Sequence, residues 1–222
     1  MLTKTTFRRS VLPLASLLTL AIAGTARASD WEIDPAHTTA TFSVRHLMVS
    51  TVKGAFEKVG GSVHLDDGTP TRSGIEISID AASVNTRNAQ RDGHLKSPDF
   101  FDAAKFPKLT FKSTKIENAG KNGFKVAGDL TMRGVTRPVT LDVEGPTPAV
   151  KDMMGRMVRG VVARGKLNRK DWGLVWNKAL EGGGVLVSDE VQLEVNAEMI
   201  EKAAGPKAEN PAPAKVKATP AI

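Results

Sequence analysis

Alternation of apolar and polar residues dominates the chain after residue 31. In residues 75–81, isoleucine and alanine alternate with glutamate, serine and aspartate, which is the pattern of a strand with one face in water. The same period of two recurs in residues 124–132, 139–143 and 191–199. The pattern predicts antiparallel sheet in which one face of each strand is buried.

The strand candidates cover most of the chain, and the first two could form one interrupted strand. They are residues 31–33, 38–46, 52–66 (with a bend at Gly60-Gly61), 72–82, 108–117, 123–132, 135–144, 156–168 and 185–199. Asn122-Gly123 is typical of a tight hairpin turn between two of them. About eight strands with short connections predict an all-β fold, a closed or nearly closed antiparallel barrel. A β-sandwich is the alternative.

One helical insertion interrupts this pattern, at residues 88–102. Ser97-Pro98 can cap and open a helical turn that carries Phe100 and Phe101.

The N-terminal segment has the order of a secretory signal peptide. A basic start is followed by an apolar run at residues 11–24 and by the small residues Ala26 and Ala28, so we expect cleavage after Ala28. The apolar run is short of the roughly 20 residues that span a bilayer, which makes a membrane anchor the weaker alternative. Arg8-Arg9 leaves the export route open. No other segment approaches transmembrane length, so we expect no transmembrane segment in the mature protein.

The remainder divides into a folded domain, residues 29–200, and a tail, residues 201–222. The tail is rich in proline, alanine and lysine and has too little apolar bulk to fold, so we expect it to be flexible. A weak contact of its lysines with an anionic surface is the alternative to a tail without a specific task.

The charge of the chain lies mainly in its terminal segments. The formal net charge of the 222 residues is +7, yet residues 29–200 retain only +1, because residues 1–28 carry four basic and no acidic residues and residues 201–222 add +2. A nucleic-acid-binding protein would concentrate basic residues on its folded domain, so we expect no nucleic-acid partner.

Candidate chemistry is sparse. The chain has no cysteine, and its histidines do not form HExxH or a zinc-like spacing, so we expect neither a metal site nor a cofactor. The GxSxG, GxGxxG and P-loop motifs are absent from the sequence, and we expect no catalytic residues. An enzyme acting on a small amphiphile through His37 with Asp34, or His94 with Asp92, is the alternative.

Four segments together resemble the YceI-like polyisoprenoid-binding family. They are WEIDPAHTTATFSVRHLMVSTVKGAF at 31–56, RDGHLKSPDFFDAAKFP at 91–107, GDLTMRGVTRPVTL at 128–141 and GKLNRKDWGL at 165–174. Their order and spacing match the family pattern from residue 31 to about residue 199. Thr38 stands where the family commonly has serine, and Trp172 where phenylalanine is more usual.

The resemblance implies a lipocalin-like, eight-stranded antiparallel β-barrel in a protein exported to the periplasm. Its apolar interior would hold a polyisoprenoid lipid, of the isoprenoid quinone or polyprenyl phosphate type. The protein would act as a carrier, scavenger or reservoir rather than as an enzyme. A barrel filled by its own side chains, serving as an envelope interaction module, is a further alternative, and a homodimer is compatible with the sequence.

Two sets of residues are candidates for the ligand site. The apolar wall comprises Phe42, Val44, Phe56, Leu95, Phe100, Phe101, Leu130, Met132, Leu167 and Trp172. The polar mouth comprises His37, Arg45, His46, Arg91, His94 and Arg169, where an arginine could bind a phosphate or a quinone oxygen. Small residues at Gly128, Gly160, Ala163 and Gly165 either leave room for the ligand or permit sharp curvature of the sheet.

Overall fold

The computed structural model describes residues 28–120, 123–181 and 183–203. The strands in these ranges are β1 (Ala28–Ile33), β2 (Thr39–His46), β3 (Ser50–Phe56), β4 (Val59–Asp66), β5 (Gly74–Asp80), β6 (Val84–Asn85), β7 (Lys108–Asn118), β8 (Gly123–Met132), β9 (Val135–Glu144), β10 (Val150–Lys151), β11 (Met157–Asn168) and β12 (Glu190–Glu201). The α-helix described there is α1 (Ala89–Lys96), between β6 and β7.

The sheet closes into a barrel of eight antiparallel strands. β1 and β2 pair with the same edge of β12 and form one interrupted strand, and β3 and β4 form a second. The ring continues through β5, β7, β8, β9 and β11, and β11 pairs with β12 to close it. The predicted all-β, lipocalin-like barrel with a short helical insertion is confirmed.

The interruption between β3 and β4 lies at residues 57–58 rather than at Gly60-Gly61. The N–H of Glu57 donates to the carbonyl of Ser83 at 3.2 Å, and the N–H of Lys58 donates to the Ser83 hydroxyl at 3.1 Å. These two donors leave the sheet ladder because a short 3₁₀ turn supplies their acceptors. Both glycines lie inside β4 and pair with β5.

The helical insertion begins at Asn88, as predicted, but its α-helix precedes Ser97-Pro98 instead of following it. The side chain of Asn88 accepts a hydrogen bond from the N–H of Arg91 at 3.0 Å and caps the start of α1. Ser97 ends the helix instead of opening one, since its hydroxyl donates to the carbonyl of His94 at 2.8 Å. Phe100 and Phe101 follow in tight turns and are buried, and Phe101 lies 5.4 Å from the ring of Phe56.

The last strand begins at Glu190, five residues later than predicted. Residues 185–189 form only isolated bridges, between Ala179 and Val185 and between His46 and Val187. The backbone groups of residues 186 and 188 form hydrogen bonds with the end of β2 and with the loop at Lys178. The strand β12 therefore starts at Glu190, which pairs with Asn168 of β11.

The β7–β8 hairpin is confirmed, with Asn118 paired to Phe124. Asn122 of the predicted turn lies outside the described residues, as do residues 1–27 and 204–222, which carry nearly all of the predicted leader and tail.

Across the three described ranges, no helix combines the length and the apolar character needed to cross a bilayer.

Candidate functional site

One side of the barrel interior is densely packed. The inward side chains of β1, β4 and the end of β12 are almost completely buried, with Trp31 at 2% and Met199 at 1% exposure. We call this set the filled wall; it comprises Trp31, Ile33, Val59, Val63, Ala197 and Met199. The strand register places these side chains on the same face of the sheet, because Ile33 pairs with Met199 and Trp31 pairs with Val63.

The adjoining part of the inner wall, which begins where Val161 pairs with Ala197, is packed less tightly. We call it the open stripe; it comprises the inward side chains Val139, Leu141, Val143, Val161, Ala163, Leu167, Val191, Leu193 and Val195 of β9, β11 and β12, all of which are only half-buried. The residues that alternate with them are mostly polar and exposed, with Val162 as an apolar exception, and Arg164 forms ion pairs with Glu144 and Glu194 on the outer surface. The alternation therefore places the open stripe on the inner face of the wall.

The sheet is also least tightly closed beside this stripe. β9 and β11 pair only from Val162–Glu144 to Arg164–Asp142, so the ladder stops although both strands continue. Pro138, which has no N–H to donate, lies in the part of β9 that pairs with β8 but not with β11. Because fewer backbone hydrogen bonds join β9 to β11 than join β11 to β12, the β9–β11 contact is the easier of the two to separate.

Glycines in the wall let neighbouring side chains lie flat against it. A Cβ at Gly128 would meet the Phe111 ring at 2.5 Å, and one at Gly165 would meet Leu141 at 2.6 Å. Gly160 differs, because its nearest neighbours at 3.8 Å or more include Thr147 and it faces outward. The inward glycines thus hold Phe111 and Leu141 close to the sheet, which keeps these side chains out of the centre of the lumen.

The predicted apolar wall divides into two groups. Phe56, Phe100, Phe101, Met132 and Trp172 are buried in the core, whereas Phe42, Leu95, Leu130 and Leu167 are half-buried and pack against it, and Val44 is half-buried on the inner face of β2. Trp172 is fixed by a hydrogen bond from its Nε1 to the carbonyl of Leu130 at 3.0 Å. The buried group closes the α1 end of the barrel, and only the half-buried group can border a lumen.

An aromatic cluster that the sequence analysis missed lies at the α1 end. Trp176 sits 4.7 Å from the His94 ring and 5.3 Å from Phe100. The Nε2 of His94 is hydrogen-bonded to Asp99 at 2.8 Å and not to Asp92, whose carboxylate accepts from Thr86. The His94–Asp92 pair considered from the sequence is therefore not formed, and no pattern around Trp176 signalled its role.

Arg169, a predicted mouth residue, is buried instead. Its guanidinium donates to the carbonyls of Ser188 at 3.0 Å and Trp176 at 2.8 Å and pairs with Asp189 at 3.2 Å. Burial lowers the pKa of Arg169 from its ordinary value. With only 3% of the residue exposed, this arginine ties the loop before β12 to the barrel and has little capacity left for a ligand.

The other predicted mouth residues lie at three separate places. Arg91 donates to the hydroxyl and carbonyl of Thr86, at 2.7 and 2.9 Å, beside α1. Arg45 and His46 lie at the end of β2, and Arg45 bonds the carbonyl of Met48 at 3.0 Å. The structure does not bring the six residues together into one mouth.

His37 lies on the outer surface, at the junction of β1 and β2. Its Nδ1 is 2.9 Å from Asp34 and 3.7 Å from Glu198. The hydrogen bond that His37 donates to the Asp34 carboxylate raises the pKa of His37, and the same bond lowers the pKa of Asp34. One ligand atom from each of these three side chains lies within 4.8 Å of the others, which makes them the one group among the described residues that could hold a metal ion, on the outer surface.

Arg159 is a polar residue on the inner face that the sequence analysis did not name. It lies two residues before Val161 on the same face of β11, and its guanidinium is 5.3 Å from the Trp31 ring. Nη1 and Nη2 bond Asp67 at 2.9 and 3.2 Å, and the buried Nε has no partner among the described residues. The alternation along β11 was sufficient to place this side chain inside.

Comparison with known proteins agrees with this architecture. The sequence model of the YceI-like domain matches residues 31–199. The UPF0312 protein SA2479 of Staphylococcus aureus is 39% identical over 171 residues, which cover 77% of this chain and 96% of that protein.

Two solved structures share the fold. The YceI protein of Campylobacter jejuni is similar at a TM-score of 0.60 and 32% identity, over 71% of this chain and 90% of that one. A polyisoprenoid binding domain from Saccharophagus degradans is similar at a TM-score of 0.55 and 14% identity, over 78% of this chain and 98% of that one.

Proposed function

This chain belongs to the YceI-like domain family, and from that membership we propose that it is an exported, periplasmic protein that holds a polyisoprenoid lipid in its barrel lumen. It acts as a carrier, scavenger or reservoir of that lipid. The observation that carries the proposal is the open stripe, a continuous apolar surface that the protein's own side chains leave half-buried.

The open stripe suits a long, flexible hydrocarbon. From Arg159 to Leu167 the inner face of β11 extends over about 26 Å at the usual rise of a strand. Removing apolar surface from water contributes roughly 25 cal/mol per Å², so a chain laid along this stripe is stabilised without any specific contact. The small and branched side chains of the stripe select for apolar character and only weakly for chain length.

The chemical class of the ligand rests on likeness. The similar domain from Saccharophagus degradans is described as polyisoprenoid binding, and an isoprenoid quinone or a polyprenyl phosphate is the corresponding ligand here. Export rests on the leader-like residues 1–28. The proposal requires no catalytic group, and neither a cofactor nor a metal ion takes part in it.

Native mass spectrometry of the full chain recovered from an exporting host tests the proposal. We expect an intact isoprenoid in near-stoichiometric amount, identified after organic extraction, and a polypeptide mass that begins at Ser29. A protein that is empty and also fails to take up added isoprenoid quinone or polyprenyl phosphate contradicts lipid binding. A mass that retains residues 1–28 contradicts the predicted cleavage and leaves the lipid result to stand by itself.

A further inference from the structure

The β2–β3 hairpin exposes three successive apolar side chains, which we call the hairpin tip. Leu47, Met48 and Val49 are 39, 55 and 76% exposed. Single apolar residues at a surface are ordinary, whereas a contiguous group on a projecting element marks an interaction site.

The backbone of the hairpin tip is unusual for these residue types. Leu47 and Met48 have φ angles of 51° and 63°, and the N–H of Val49 donates to the carbonyl of His46 at 3.1 Å. Two central residues with positive φ are the pattern of the hairpin turn that favours Asn-Gly, because a Cβ crowds the backbone there. Folding alone would not select leucine and methionine at these positions, so another requirement has to explain them.

Hydrogen bonds hold the hairpin tip in its projecting position. The N–H of Leu47 donates to the carbonyl of Leu186 at 2.9 Å. The guanidinium of Arg45 donates to the carbonyl of Met48 at 3.0 Å and to the hydroxyl of Thr51 at 3.1 Å. The apolar side chains are therefore presented to solvent by an anchored turn.

Two cations flank the hairpin tip. Arg45 lies at its base, and Lys178 lies beside it because the N–H of Leu186 donates to the carbonyl of Lys178 at 2.9 Å. Both side chains are exposed, and neither forms an ion pair with a carboxylate of the described residues. An apolar edge with free cations beside it complements a bilayer surface that carries anionic lipids.

A second exposed hairpin, at the opposite end of the barrel, has one exposed cation without an ion pair among the described residues, Lys151, where the hairpin tip has two. Met153 and Met154 between β10 and β11 are highly exposed, but Arg156 donates to the Asp152 carboxylate at 2.7 Å and the two charges neutralise each other. Gly155, with a φ of 82°, supplies the left-handed residue of that turn. The two hairpins thus expose similar apolar groups in different electrostatic surroundings.

We propose that the hairpin tip inserts into the interfacial region of an anionic bilayer and docks the α1 end of the barrel on it. Leu47, Met48 and Val49 enter the acyl boundary, while Arg45 and Lys178 contact the lipid head groups. This docking goes beyond lipid binding in the lumen and does not require it, because the surfaces involved lie outside the barrel.

Flotation of the full chain with vesicles tests the docking. The vesicles contain phosphatidylcholine with or without phosphatidylglycerol, and every variant keeps the same terminal segments. The L47N/M48G double variant places the favoured turn residues in the hairpin, so we expect its melting temperature to be unchanged or a few degrees higher. We expect its partition onto anionic vesicles to fall by about ten-fold or more, since two inserted side chains are lost.

The control variant is M153S/M154S, which removes similar apolar surface from the other hairpin and should bind vesicles within about two-fold of the unchanged protein. Lys178→Gln should weaken binding by about five-fold on anionic vesicles and should have no effect on neutral ones. Absence of vesicle binding by the unchanged protein would overturn the proposal and assign the hairpin tip to a protein partner. Equal losses in both double variants, or no loss in L47N/M48G, would also overturn it.

Discussion

The filled wall and the open stripe adjoin along β12, where Val161 pairs with Ala197, and both are built by the same period of two, yet they differ in packing. In the filled wall, Trp31 and Met199 belong to one contiguous cluster of buried side chains. In the open stripe the inward positions hold valine, leucine and alanine, and Leu141 is held flat over Gly165. Val59, Val63 and Ala197 of the filled wall are no larger than the valines and leucines of the open stripe, so the difference in burial follows from what packs against each position and not from side-chain size.

The largest expected effect is a difference in stability between the two sides. Met199→Ala in the filled wall should lower the free energy of unfolding by about 3–5 kcal/mol, because the deleted atoms are fully packed and leave a cavity. Leu193→Ala in the open stripe should lower it by about 1 kcal/mol, since that side chain has already lost part of its packing. Urea denaturation of both variants measures the difference, and similar losses would show that the two sides are packed alike.

The next largest effect is on ligand binding. Ala163→Trp places a large ring in the lumen beside the open stripe and should weaken binding of an isoprenoid quinone by about ten-fold or more, since the ligand and the ring compete for the same space. Fluorescence titration with the quinone measures the loss.

Ala127→Trp is the matched control, because Ala127 alternates with the buried Val126 and Gly128 and faces outward. This variant should bind the quinone within about two-fold of the unchanged protein. Undiminished binding by Ala163→Trp, or equal losses in both variants, would place the ligand outside the open stripe.

Period-two alternation was sufficient to predict the barrel, and it also places the filled wall and the open stripe on the inner face. It does not distinguish them, because the accessible surface of Leu193 depends on what lies across the lumen and not on its own neighbours in sequence. The six residues of the predicted polar mouth lie apart, and the sequence does not indicate this separation. Arg169 is buried under carbonyl groups from residues 174–188, contacts that no local pattern specifies.

The missed residues differ in what the sequence offered. Arg159 follows the alternation of β11 and could have been placed inside from that alone. Trp176 lies in an irregular loop, and its contact with His94 depends on how that loop returns across the α1 end. Sequence periodicity therefore predicts which face a strand residue occupies, whereas the closure of the barrel end follows from tertiary contacts.

The smallest expected effect concerns the β1–β2 junction, which supports the filled wall from outside. The pKa of His37 is raised by its hydrogen bond to Asp34 and by the charges of Asp34 and Glu198. The folded protein therefore binds a proton at His37 more tightly than the unfolded chain, whose histidine titrates near pH 6.5. This stabilisation is complete below about pH 6.5 and is lost as the pH rises through the raised value.

The contribution of Asp34 to stability changes with pH in the opposite sense. Its lowered pKa stabilises the folded protein above about pH 4, and this stabilisation is lost as the pH falls further. The pair should thus stabilise the fold most between about pH 4 and pH 6.5. We expect the urea midpoint to decline slightly from pH 6 to pH 8 and the decline to vanish in His37→Gln. Quinone affinity should not follow this change, since His37 and Glu198 lie outside the lumen; a parallel pH dependence of binding would mean that the junction and the open stripe are coupled.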